Sequence, residues 1–588
     1  MRLTSLEPVV PCLLTILWLA GCQPPPASEG EGGGGTDDGE VDESDDGDDS
    51  PQIVCKPGET RCQNLEVLEL CKPTGLGWEA LACEGYEQCD PSYKNTAGEV
   101  VPTCVGPCEN LSSSSEGCSF YTTSMYQTAA PDINNLPEDA IIVGNPQLDN
   151  DATVELRWVP FGTNKEELAE GGGPVVIPPG GSHIFRLDPT LTIYGKHGST
   201  IPLSMYRSGS VYHVVSNLPV VAYLHAPLDE QDTNASTLLL PENVLQGDYV
   251  IYNHGAFQEP NYFIVIAMQD QTTVTWRPSV ETAGDWLPLP FVEAGESGTQ
   301  LLNRFDNVRI DTSRKLERPA CEQDLSGTVI EADKPIWVVS AVQGLRLPWC
   351  SHVQIPGCPE VVQANCAAGG DFAMEQNLPI AYWGREYVGP HSPTRGGEEH
   401  HWRIYAGEDN ITINVTPAQP NTPIQLAKRG DWAELIVPES TNLEFKANGV
   451  FMPVQYVVGH YATTYVNPDG FKMGSPAMIQ MVPTAQFLNR YVFVTGVGYP
   501  EHYAQVIRAA GSSDILLDGE PVTGWESVAN WEIATVLVSE GSHEIHSVNP
   551  QDSFGILQYG YSPHVSGTEN SAGYGYMGGM KAEVIYIP

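Results

Sequence analysis

Cys350, His352, Cys358 and Cys366 crowd into one short stretch and carry the donor types of a zinc site, thiolate and imidazole. Two further stretches bring acids beside imidazoles, Glu398-Glu399-His400-His401 and His543-Glu544-Ile545-His546. Either pairing is raw material for metal-assisted or acid–base hydrolysis. Spacing argues against both. The first runs into a strand pattern at Trp402, and neighbours on a strand face opposite ways, so at most one His and one Glu share a side. The plain reading there is the solvated start of a strand. The second is not H-E-x-x-H, and residues three apart on a strand diverge. No C-x2-C pair, G-x-S-x-G elbow, phosphate loop or dinucleotide fingerprint occurs. Gly171-Gly172-Gly173 precedes no helical pattern and reads as a loop. Trp337, Trp349, Trp383, Trp402, Trp525 and Trp531 suggest an aromatic groove for a glycan, against the plainer role of filling β cores.

The residue that the sequence assigns most directly is Cys22. Arg2, an apolar stretch from Val9 to Ala20 and the small residues before Cys22 make the three parts of a signal peptide over residues 1–21. The apolar core falls short of the about 20 residues that a membrane span needs. Leu19-Ala20-Gly21-Cys22 resembles the bacterial lipobox, which implies cleavage before Cys22 and acylation of that cysteine. Several acyl chains on one residue give stable anchoring, at about 0.8 kcal/mol per buried methylene. Gln23 resembles the signal that sorts lipoproteins to the outer membrane of the cell envelope, so membrane attachment through lipid on Cys22 and surface exposure are expected. Residues 22–54 then read as a disordered acidic linker: eleven carboxylates and no basic residue lie between Gln23 and Gln52. The run lacks EF-hand spacing and acts as a spacer.

Removing Cys12 with the signal and Cys22 to lipid leaves twelve cysteines of the fourteen. Cys55, Cys62, Cys71, Cys83, Cys89, Cys104, Cys108 and Cys118 define a small disulfide module over residues 55–118, too small to hold together on a core alone. Its pairing is left open, Trp78 and Tyr86 are its expected packing residues, and Cys118 alternatively bridges onto the next domain. Cys321, Cys350, Cys358 and Cys366 are read as disulfides as well, because exported thiols oxidise. The net charge of −46 excludes nucleic acid as a partner and leaves basic proteins, cations or neutral glycans. With 58 Gly and 48 Pro but only 17% charged residues, the composition is that of an extracellular β protein rich in turns.

Residues 119–588 repeat. An apolar strand, A-x-x-D-x-x-T and a second strand recur from Tyr262 to Trp276 and from Trp402 to Val415, with weaker copies near Asp149 and Asp514. Alternating polarity around a tight turn reads as a β-hairpin. A proline opening an apolar strand recurs at Pro219, Pro335 and Pro453, where a strand's first residue tolerates the missing donor. Leu240-Pro241, Leu378-Pro379 and Val482-Pro483 each precede a further strand. The expectation is all-β: four repeated antiparallel modules of about six strands, sandwich-like and packed together, with a β-propeller as the alternative.

With these residues in view, the span from about Cys118 to the C-terminus resembles the IgGFc-binding protein N-terminal domain, including its bacterial lipoprotein members. The marks are Leu218 to Tyr223, Asp232-Thr233-Asn234-Ala235-Ser236-Thr237-Leu238-Leu239-Leu240-Pro241, Asp324-Leu325-Ser326-Gly327-Thr328 before Lys334-Pro335, Glu375-Gln376 before Leu378-Pro379, and Tyr559-Gly560-Tyr561 with Gly573-Tyr574-Gly575-Tyr576. The chain departs from the pattern in adding Cys358 and Cys366. The resemblance implies a secreted or surface-displayed binding domain, non-enzymatic and without cofactor, and does not carry antibody binding to this chain. The expected role is therefore a binding or adhesion scaffold for an extracellular protein or glycan. The alternatives are a structural envelope component and a metal-assisted hydrolase using the Cys350–His401 region.

Overall fold

The computed structural model describes residues 53–64, 66–83, 86–94, 98–109, 111, 113–125, 138–188, 204–228, 234–255, 261–284, 289–313, 324–347, 371–563 and 571–587. Cys22, the linker before residue 53, and Cys321, Cys350, Cys358 and Cys366 lie outside them. The chain divides into two units, residues 1–58 with 71–78, and residues 59–70 with 79–588. In the first, Cys55 bonds Cys71, and a turn closed by Gly75 N–H on Lys72 O precedes Gly77.

The second unit holds the rest. Cys62 bonds Cys89, Cys83 bonds Cys104 and Cys108 bonds Cys118, so all eight cysteines of the small module are oxidised once Cys55–Cys71 is included. Cys118 lies within the strand Gly117–Thr122, which opens the first large module. Tyr86 does not pack the small module as expected: 42% of it is exposed, because cystine rather than aromatic burial holds this segment together.

Four modules follow, each spanned by one long strand: Val211–Ala226, Val329–Leu345, Leu443–Val457 and, in two pieces, Ser542–Ser547 with Phe554–Tyr561. In the second module, the first half of Val329–Leu345 is flanked by Gln246–Val250 and Thr272–Arg277. Its second half is flanked by Tyr262–Ala267 and Asp371–Gln376. The outer strands Gly298–Leu302 and Asp306–Asp311 complete a seven-strand unit. The first and third modules repeat this plan. The fourth splits it into two sheets, because its long strand is interrupted around Pro550.

This plan corrects two expectations. Tyr262–Ala267 and Thr272–Arg277 are not a hairpin: both pair with Val329–Leu345 and follow one another along the same edge of it, opposite Gln246–Val250. The polar turn inserts extra residues and shifts the register while the chain continues along that edge, and strand periodicity is the same for either connection. Nor do the prolines open strands. Pro219 and Pro335 sit inside the long strands where pairing passes from one neighbour to the next, and Pro453 lies deeper, opposite Ile404. A residue without an N–H fits where the ladder is already interrupted.

Every residue of Tyr262–Ala267 is buried. Phe263, Val265 and Ala267 face the module's own core, while Tyr262, Ile264 and Ile266 join the large core shared between modules. A strand buried on both faces reads as a continuous apolar run, and each such side chain contributes roughly 1.5–3 kcal/mol.

The modules close into a ring. The short strand ending each one, Ala235–Leu238, Asp371–Gln376, Ala477–Gln480 and Gly573–Met577, packs on the next, and the last returns to the first. The sandwich-like modules thus share a central axis with the propeller alternative. Met205–Ser208 leaves the first module to pair with Asp306–Asp311 of the second. At the seam, Ser115 N–H donates to Met580 O at 2.9 Å and Ala582 N–H to Ser113 O at 3.0 Å.

Candidate functional site

The acids and imidazoles singled out from sequence are mostly buried and already engaged. Glu398 is fully enclosed and accepts from Arg395 at 2.7 Å through both oxygens. Arg395 also donates to Val458 O and lies 4.6 Å from the Tyr561 ring centroid. Glu399 is exposed. His400 and His401 are both buried rather than solvated, since this strand packs on both faces, and burial pulls them down to about 3 and about 4. They are neutral imidazoles at neutral pH. His543 is buried and bonded to Asp518 at 2.6 Å and Ser539 O at 2.8 Å, while the half-buried His546 points elsewhere.

Trp337, Trp383 and Trp402 are fully buried, so they cannot line a glycan groove. Trp525 is covered by the Arg508 guanidinium at 3.8 Å, and Trp531 donates to Glu386. Trp349 falls outside the described residues, as does the cluster of Cys350, His352, Cys358 and Cys366. Gly171 to Gly173 form a loop on the strand Ala152–Val159, where a Cβ on Gly172 would meet Leu156 O at 2.2 Å. Among the described residues no three His, Cys, Asp or Glu side chains converge as metal ligands.

Two polar clusters that the sequence did not announce join the modules. In the first, Arg403 reaches from the third module to the second, with Nη1 donating to Asp324 Oδ2 at 2.6 Å, Asn253 O at 2.9 Å and Ser326 Oγ at 2.9 Å. The same Asn253 carbonyl accepts from Tyr456 at 2.6 Å and Ser326 at 2.7 Å. Trp432 covers the guanidinium at 4.1 Å. Burial alone would raise Asp324, but Arg403, His254 and the hydrogen bonds from Ser326 together outweigh it and hold the carboxyl below its usual range. Glu434 stands at the rim, 3.8 Å from His254 Nε2 and 3.9 Å from Arg403 Nε. Burial opposes its ionisation, yet His254 and Arg403 bring it down to about 2. Arg403 of the third module is matched by Asp324 inside the joint, so this cluster clamps two modules. The available signal was Arg403 alternating with buried Trp402 and Ile404 on one strand.

The second cluster sits on the ring axis. Glu375 accepts from Thr237 Oγ1 at 2.7 Å, Gln480 N at 3.0 Å and Gln480 Nε2 at 3.0 Å, joining three modules through one carboxyl. Burial pushes it up to about 8. Gln376 and Gln480 accept the backbone N–H groups of Leu240 and Leu378. The glutamines beside the Leu-Pro steps thus join one module to the next.

The surface offers recesses. One of about 610 Å³ lies between the cystine-rich segment and the bend of Val211–Ala226, with Tyr86, Gln88, Val105, Glu116, Gln147 and Leu218 on its walls. Two smaller ones lie at module joints, about 490 Å³ beside Arg304 and Asp306 and about 480 Å³ beside Asn442 and Glu526.

Comparison with known families places this ring. The family described as IgGFc binding protein matches residues 235–560, from the first central strand into Phe554–Tyr561. The rest of the first module, including Leu218 to Tyr223, lies outside the match, as does Gly573 to Tyr576. No curated protein and no solved structure matches the chain. The match covers more than half of the 588 residues and contains Asp324 to Thr328 and Glu375-Gln376, the segments that build the clamp and the axis. The chain belongs to the IgGFc-binding protein family, a family of binding domains.

Proposed function

We propose that this protein is a non-enzymatic binding scaffold displayed outside the cytoplasm and tethered by lipid on Cys22, presenting its module joints and loops to an extracellular protein. Family membership carries the reading, since the matched residues build a rigid frame whose polar groups are spent on holding modules together. Four disulfides between Cys55 and Cys118 support an oxidising compartment. Eleven carboxylates without a basic residue between Gln23 and Gln52 suit that stretch to a spacer role. A glycan partner loses support because three of the six tryptophans named for a groove are core residues.

Two measurements test it. Palmitate should label the expressed chain and not its Cys22→Ser variant; equal labelling, or none, removes the tether. Photo-crosslinking on intact cells, followed by mass spectrometry, should recover an extracellular protein joined to this chain. Recovery of only envelope lipid or peptidoglycan would replace the binding role with a structural one.

A further inference from the structure

The largest of the three recesses has a chemistry of its own. Its two sides are covalently joined, since the Cys108–Cys118 disulfide links the segment after Pro107 to the strand that follows Glu116. Cys108 Sγ also lies 3.4 Å from Ser216 O, near the bend at Leu218-Pro219. The cleft is therefore preformed, which lowers the ordering cost of binding.

Glu116 opens onto it, and among the described residues none makes a hydrogen bond or ion pair to its carboxylate. Burial raises its pKa, and the cation opposing this among the described residues, Arg490, is already committed to Glu544 at 2.9 Å and Pro146 O at 2.6 Å. Glu66 and Glu87 add two further carboxylates to the lining. Val105, Pro107, Leu111 and Leu218 supply apolar wall, and Tyr86 presents an exposed ring. An unpaired carboxylate in a recess repels phosphates and carboxylates and favours a cation that brings its own N–H donors. A bare calcium ion wants six or more oxygens. A lysine or arginine instead lays its aliphatic stem on apolar surface and its charge against carboxylate and aromatic ring.

We infer that this cleft takes a lysine or arginine side chain presented by the protein partner. The inference rests on the binding role proposed above and adds the chemistry of one contact. It fits a chain of net charge −46, whose field draws basic partners in before any close contact forms.

Saturation-transfer NMR on the full chain tests it with four capped amino-acid amides: lysine, arginine, norleucine and glutamate. Lysine and arginine should show saturation, and norleucine and glutamate should not. Glu116→Gln should weaken lysine binding at least about tenfold, the effect of losing a charged partner. Glu439→Gln, an exposed carboxylate of the third module, should leave it unchanged. Gln88→Trp, at an exposed position on the cleft wall, should block binding without touching a core residue, and so serves even if Glu116→Gln folds poorly. Lysine bound equally by the parent, Glu116→Gln and Gln88→Trp would reduce the attraction to overall charge and overturn the inference; so would norleucine binding as well as lysine. If Glu116→Gln still crosslinks the extracellular partner at the parent level, the cleft falls and the binding role stands. If the amides bind in the cleft but no protein partner is recovered, the reverse holds.

Discussion

Replacing Asp324 by alanine strikes the clamp between the second and third modules at its most exposed assumption. Asp324 and Arg403 are each buried, 8% and 6% exposed, with 2.6 Å between Oδ2 and Nη1. Removing one member of such a pair leaves the other charge buried and unmatched, a loss of roughly 3–5 kcal/mol. Glu434 stands 3.9 Å from Arg403 Nε and takes up part of the burden, and Asn253 O and Ser326 Oγ still accept. The expected cost is therefore near the low end, about 3 kcal/mol. Replacing both partners, Asp324→Leu with Arg403→Met, leaves no stranded charge and should cost less than Asp324→Ala alone. Hydrogen exchange of peptides covering residues 250–255 and 402–405 reads the opening free energy at the joint itself. The pH dependence adds a check. Asp324 is held below its unfolded pKa, so its contribution is present above about pH 4, the unfolded value, and disappears as pH falls through the folded one. The gap between parent and Asp324→Ala should close in acid. A cost under about 1 kcal/mol at neutral pH, or a double variant as weak as the single, would refute the clamp.

Other outcomes follow from the same geometry. Asp139 is fully buried with one backbone donor, Met125 N–H at 2.8 Å, and burial pushes it up to about 8. Its folded pKa lies above the unfolded one, so stability is full below about pH 4 and falls by about 1.4 kcal/mol per pH unit toward pH 8; Asp139→Asn should lessen that slope in denaturant titrations at pH 5 and pH 8. Tyr491 accepts from Leu488 N–H at 2.9 Å and donates to Phe554 O, so Tyr491→Phe should lower stability by roughly 1–3 kcal/mol in thermal unfolding. Cys108→Ser with Cys118→Ser opens a loop spanning a separation of 10 residues, a loss of about 2–3 kcal/mol, seen as faster proteolysis of the cystine-rich segment.

Much of the frame is legible in one dimension. Turn residues at regular spacing, runs such as Tyr262-Phe263-Ile264-Val265-Ile266 and the even cysteine count follow from local chemistry: backbone preference, side-chain alternation and compartment. So does the repeat, because each module needs the same turns, the same Leu-Pro step and the same central strand. The polar marks of the family were visible as letters, but what they do was not. Glu375, Gln376 and Gln480 meet Thr237, Leu240 and Leu378 only because four modules turn about one axis.

What tertiary structure alone decided is which side of each residue water reaches. Period-two alternation reports that a strand has two faces and says nothing of what covers the second, so His400 and His401 read as solvated and are buried. Tyr86 read as packed and is exposed. The same alternation reports a turn but not whether the two strands pair with each other or follow one another along a third, so a shifted continuation was taken for a hairpin. Pairing, burial and the cleft beside Glu116 depend on contacts between residues a hundred or more positions apart. The local sequence determined the elements, and only the closing of the ring determined their neighbours.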